Sequence, residues 1–132
     1  MKFWVMVAVI LAGSIAVADE GLDSAFKRLS TVERYAFGGV GIAGATSPGE
    51  KDYKLILSSP AALETFERLY RVGNIQAKCY ALVGIRKLRP ERFRELADSV
   101  RKSTDKVVTM RGCIVSSERV VDIVKRIDKG EF

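Results

Sequence analysis

The stretch IQAKCYALVGIRKL, Ile75 to Leu88, decides the fold. At 3.6 residues per turn, Ile75, Cys79, Leu82 and Val83 form one apolar stripe, and Ala77, Ala81, Gly84 and Leu88 form a second one made mostly of small side chains. A helix apolar on two sides belongs at the centre of a domain. Its small-residue side predicts close approach by another helix. Its other side carries a cysteine whose one possible partner is Cys113, in the Gly-Cys-Ile-Val segment 112–115. The expected framework is a buried rod stapled to a later extended run.

On the N-terminal side, Gly73 and Asn74 leave room for only a tight connection to a preceding helix, whose apolar face is Ala62, Leu63, Phe66 and Leu69. Two helices joined so briefly must lie against each other. Ser58-Ser59-Pro60 punctuates the chain before that helix. Ser47-Pro48-Gly49-Glu50 does so more completely, with Ser as N-cap, Pro at the first helical position and Glu placed to return a hydrogen bond to the cap. The helix it opens should bury Tyr53, Ile56 and Leu57. A further short helical pattern within Gly21 to Arg34, Leu22, Ala25, Phe26 and Leu29 with Asp23 or Ser24 placed to cap it, precedes a glycine-rich loop or irregular extended segment over residues 35–50.

On the C-terminal side, Pro90 opens a helix expected to reach Ser103, with Phe93, Leu96, Ala97 and Val100 inward. Lys106 to Val115 turns to β-branched residues and reads as extended, or as two very short strands around Gly112. Ser116 or Ser117 is placed to cap a last helix that faces Val120, Val121, Val124 and Ile127 inward. The fold class is mainly α: a compact bundle or short array of about five or six short helices, with an extended segment near 106–115.

The chain opens MKFWVMVAVILAGSIAVADE, with one lysine, an apolar run and an Ala16-Val17-Ala18 end. That is the pattern of a secretory signal peptide over residues 1–18, followed by a single helical domain over residues 19–132. The apolar stretch is short against the roughly 20 residues a span requires, so no stable membrane insertion is expected after cleavage. A periplasmic or secreted protein is the expected product. Net charge is +6, from 22 Lys+Arg against 16 Asp+Glu, and a basic excess favours anionic surfaces. In an exported chain two cysteines most often pair, so a Cys79–Cys113 disulfide is expected. Closing that loop would contribute about 3 to 4 kcal/mol. A reactive thiol and two free buried thiols are the competing readings; the first lacks any C-x-x-C or histidine to activate it.

Two resemblances follow. Short helices in tandem, with proline at their starts and an Ala/Gly-rich inner helix, resemble units of a HEAT-type array. The combination Gly39-Val40-Gly41, Ser47-Pro48-Gly49-Glu50, Tyr80-Ala81-Leu82-Val83-Gly84, Pro90 with Phe93 and Gly112-Cys113-Ile114 resembles a group of small exported bacterial proteins of unknown function. That resemblance implies an exported helical domain and transfers no catalytic residue.

The sequence has no histidine, which removes the usual zinc motifs, Ser-His-Asp triads and Cys-His dyads. Gly39-Val40-Gly41-Ile42-Ala43-Gly44 is a literal G-x-G-x-x-G. A dinucleotide site needs a strand before it, a helix opening on it and an acidic residue about 20 positions on at the end of a second strand. Here Pro48 intervenes before the next helix, residues around 60–64 look helical and an exported protein has little access to NAD, so the segment reads as a turn that lets backbone pack against the central helix. Ser24-Ala25-Phe26-Lys27 spells S-x-x-K without its partner motifs. The pairs Glu64/Glu67 and Glu91/Glu95 have the chemistry for acid and base work on a glycoside, but the arginines among them (Arg68, Arg71, Arg92, Arg94) make them surface ion pairs. No calcium loop is present. No catalytic, cofactor or metal residue is assigned, and no cofactor is expected.

One cluster remains. Arg86, Lys87, Arg89, Arg92 and Arg94 crowd the junction of two helices, where some complement a helix C-terminus and others would bind an anion if they converge in space. Nucleic acid is not an expected partner, because aromatic residues do not alternate with the cations. The expected function is a non-enzymatic binding module of the cell envelope, acting on an envelope protein or an anionic polymer. A small hydrolase or inhibitor-like effector using surface carboxylates is the alternative.

Overall fold

Ile75–Leu88 is a single helix, α4, around which the other elements are laid. The computed structural model describes residues 21–132; the expected signal segment lies outside them. In chain order the elements are α1 (21–30), β1 (Gly39–Val40), β2 (Ala45–Thr46), α2 (Pro48–Leu57), α3 (Ala62–Val72), α4, α5 (Pro90–Ser99), β3 (Lys106–Arg111), β4 (Ile114–Arg119) and α6 (Val120–Asp128). The fold is mainly α. Among the described residues no helix is long and apolar enough to cross a membrane.

α4 is central because its sequence lets it be buried all round. Ala77, Cys79, Tyr80, Ala81, Leu82, Val83, Gly84 and Ile85 are all buried, and α2, α3, α5, α6 and β3 all touch it. Tyr80 and Ile85 lie between the two expected stripes and close the circumference; Leu88, at the helix end, is exposed instead. α3 approaches most closely at Gly84, where an added Cβ would lie 2.3 Å from the Phe66 ring. Asn74 starts α4: its side-chain oxygen accepts from the Ala77 N–H at 2.9 Å while its amide donates to the Val32 carbonyl at 2.8 Å. One side chain thus caps the central helix and ties down the segment after α1.

Ser47 caps α2 as its motif predicts, accepting from the Glu50 N–H at 3.1 Å. The reciprocal bond is not made. Glu50 accepts instead from the Gly38 N–H at 3.3 Å, and the Ser47 hydroxyl donates to the Ala36 carbonyl at 2.9 Å. That carbonyl and the Ala36 N–H both meet the Tyr80 hydroxyl, which donates to one and accepts from the other at 2.9 Å. Ala36 is buried, and every backbone group there has found a partner, as burial demands.

The glycine-rich segment is a small antiparallel hairpin, β1 with β2. Its tip packs on the β3–β4 turn, where the Gly41 N–H donates to the Gly112 carbonyl at 2.9 Å and Val40 bridges Gly112, while Phe37 at its start meets the Tyr80 ring of α4, centroids 5.2 Å apart. The extended segment near 106–115 is longer than expected. β3 and β4 pair antiparallel in unbroken register from Lys106 with Arg119 to Arg111 with Ile114. Gly112, at φ 56°, takes the first turn position, where a left-handed backbone favours glycine. Ser116 and Ser117 therefore belong to a strand and do not cap α6; Arg119 takes that position and pairs with Asp122 at 3.0 Å. Cross-strand pairing outbids local capping preference here. α5 likewise stops at Ser99, short of Ser103.

The expected disulfide is not formed. Cys79 is fully buried on α4, and Cys113 is an exposed turn residue beyond the end of β3; both are free. A bridge requires the two Cα atoms within about 7 Å, and the tip of a hairpin directed to solvent does not reach a helix core. The staple's role falls to packing. A contiguous core runs from Ala25 and Leu29 through Tyr53, Phe66 and Tyr80 to Ile123 and Ile127, and each large apolar side chain fully buried in it contributes about 1.5–3 kcal/mol before entropy is counted.

Candidate functional site

The five basic residues singled out in the sequence do not converge. Arg86 reaches sideways and donates to the Asp128 carbonyl at 3.2 Å, closing the end of α6. Lys87 sits over the Tyr53 ring, 5.8 Å from its centroid, and the exposed Arg89 is the residue between α4 and α5. Arg92 clamps α5 onto α3, donating to Glu67 at 2.6 Å and to Glu95 at 2.8 Å. Arg94 lines a concavity between α5 and α6. The reason is geometric: consecutive residues at a sharp helix-to-helix corner are fanned to different neighbours.

The carboxylates are equally dispersed. Glu67 and Glu95 are both held by Arg92, while Glu64 and Glu91 are exposed. Arg68, expected among their partners, instead lies over the Phe26 ring at 4.4 Å. Among the described residues, no group of three or more Cys, Asp or Glu is placed to hold a metal. Ser24 and Lys27 share the exposed side of α1, where Lys27 pairs with Asp23 at 3.1 Å. Among the described residues, the one well-buried carboxylate in an ion pair is Asp52, which accepts from Arg28 through both oxygens and joins α1 to α2.

Arg94 belongs to a groove of about 720 Å³ between α5 and α6. Phe93, Ala97, Val100, Val121 and Val124 make its floor; Arg94, Arg101 and Lys125 stand on the rim with Asp98 and Asp128. Arg101 is paired with Asp98 at 2.9 Å, so among the described residues Arg94 and Lys125 carry the rim's unpaired positive charge against Asp128. The groove exists because α6 is apolar over a wider arc than its seat on α4 uses. Val120, Ile123, Val124 and Ile127 are buried, whereas Val121 is left half exposed. Val121 beside Val120 in the sequence was the available sign of this second face, but nothing local in the sequence says that α5 runs alongside it.

The two thiols differ sharply. Burial pushes the Cys79 thiol up to about 12, so it is neutral and inaccessible, and Cys113 is exposed. A disulfide-exchange reagent should therefore titrate one thiol per native chain and two in denaturant, with the native reaction abolished in Cys113→Ser. Two thiols reacting together in native protein would contradict this placement. Comparison of the chain with models of known families, with curated proteins and with solved structures found no match.

Proposed function

We propose that this chain is an exported, non-enzymatic binding module of the cell envelope that seats an acidic amphipathic helix of another envelope protein between α5 and α6. The observation that carries this reading is the combination of an apolar floor with a rim on which Arg94 and Lys125 lack carboxylate partners among the described residues. Helix-in-groove recognition uses such a floor for affinity and its rim for choice of partner. α5 and α6, of 10 and 9 residues, are about 15 Å long at 1.5 Å per residue, which accommodates two to three turns of a ligand helix. Export is supported by the pattern of residues 1–18.

The test is a titration of the labelled protein, followed through the methyl signals of Val100, Val121 and Val124. It compares a designed Leu/Glu amphipathic peptide, its Leu/Lys counterpart and polyglutamate. Selective shifts with the Leu/Glu peptide, weakened about tenfold in Arg94→Glu/Lys125→Glu, are expected. Equal binding of polyglutamate would mean that the floor is not used, and silence with all three would end the proposal.

A further inference from the structure

β4 has one strand neighbour, β3, and its other side is uncovered among the described residues. Which of its backbone groups are free follows from β3. The Val108 carbonyl accepts from the Tyr35 N–H at 2.8 Å, and the Met110 N–H donates to the Tyr35 carbonyl at 3.2 Å, so the backbone of Val108 and Met110 points away from β4. Their cross-strand partners are Ser117 and Val115. In an antiparallel ladder, bonded and non-bonded pairs alternate, so the N–H and C=O groups of Ser117 and Val115 point away from β3 and into solvent.

Exposed edges are ordinarily blunted by proline, lysine, a bulge or extreme shortness. β4 is six residues, Ile-Val-Ser-Ser-Glu-Arg, in unbroken register; its two charges stand at the far end, where Glu118 is held by Thr109 and Arg111 and Arg119 by Asp122, and Ile114–Ser117 carries none of these devices. Ile114 is 69% exposed and Val115 48%, so the edge carries apolar side chains as well as free main-chain groups. Such a row is complementary to another strand.

We propose that the occupant of this edge is β4 of a second copy of the chain, paired antiparallel about a two-fold axis at Ser117. The strand is self-complementary in that register. Ser117 faces its own counterpart, Ser116 lies opposite Glu118 of the second copy with a hydroxyl to donate, and Val115 covers the aliphatic stem of Arg119 of the second copy. No like charges oppose each other. The product is a four-stranded sheet, β3-β4-β4-β3, with an isologous contact.

Sedimentation velocity of the purified chain over a range of concentrations reads the association, and amide exchange at the high end reads its location. The average mass should climb from one chain toward two, with the Val115 and Ser117 amides gaining protection. Ser117→Pro removes an outward donor without touching the β3 ladder and should weaken association at least tenfold. Should that variant misfold by circular dichroism, Val115→Lys, a charge at the same edge, decides in its place. A chain that stays monomeric at every concentration overturns the proposal, and so does a dimer indifferent to the edge substitution in a folded variant.

Discussion

Gly84→Leu is expected to leave no stably folded protein at temperatures where the parent chain is native. At this position even a Cβ would come within 2.3 Å of Phe66 Cε2 and 2.5 Å of Cδ2, and Phe66 is itself fully buried with Tyr53 against it, ring centroids 5.5 Å apart. The ring has no free side to move to. Overpacking of this kind typically costs 1–3 kcal/mol for added methylenes, and leucine adds a whole branched side chain where one carbon already fails to fit. A domain has only about 5–15 kcal/mol in total. Gly84→Ala is the graded form: its clash is offset by roughly 1 kcal/mol of helix propensity, so thermal melting should show a moderate loss. Combining it with Phe66→Leu, which vacates the ring's space, should recover part of that loss, with a positive coupling in the double-mutant cycle. An unchanged melting temperature in Gly84→Leu would mean that α3 and α4 do not meet as described.

Alkaline pH should unfold the protein in one transition that ends near pH 12. Burial raises the Cys79 thiol from 9.0 to about 12 and the Tyr53 hydroxyl from 10.0 to about 12. Burial also lifts Tyr35 well above its ordinary value and raises Tyr80. The folded-state values lie above the unfolded ones, so the unfolded chain releases protons first. Stability is therefore complete below about pH 9 and is lost progressively as pH rises toward the folded values. At 1.36 kcal/mol per unit, Cys79 alone withdraws about 4 kcal/mol by pH 12, and three buried tyrosines act in the same direction. Circular dichroism should stay constant from neutrality to about pH 9. Ionisation of Tyr35, Tyr53 and Tyr80, followed by near-ultraviolet absorbance, should then appear together with the loss of helix. Cys79→Val should move the transition to higher pH. Ionisation of Tyr35, Tyr53 or Tyr80 near pH 10 in a chain that keeps its helical spectrum would show that the aromatic core is more open than described.

Much of the secondary structure was legible because its signals are local. Asn74 and Pro90 bracket α4, Ser47-Pro48-Gly49-Glu50 opens α2, and the Ala77-Ala81-Gly84 stripe foretold the contact that Phe66 makes. Signals that depended on a distant partner were misread. Ser116 and Ser117 look like helix caps until β3 pairs with them, and the Glu50 carboxylate meets the Gly38 N–H in place of the N–H of its own cap. The candidate groove was legible only through Arg94. Its other half, Val121, Val124 and Lys125, lies on a helix about thirty residues further along the chain, and the other cations of the predicted cluster point elsewhere.

The amino-acid sequence by itself determined that this protein is mainly helical, that Ile75–Leu88 runs through its middle, and that histidine-dependent chemistry is closed to it. Helical periodicity, capping and composition are written in neighbouring residues, so these needed nothing further. Tertiary structure alone decided the fate of the cysteines, the course of β4 and the apolar channel beside α6. Each of these depends on which remote surface a side chain or strand meets, and the chain must be folded before that meeting exists. Two sulfurs can be counted in a sequence, but a buried helix and a solvent-facing turn keep them apart.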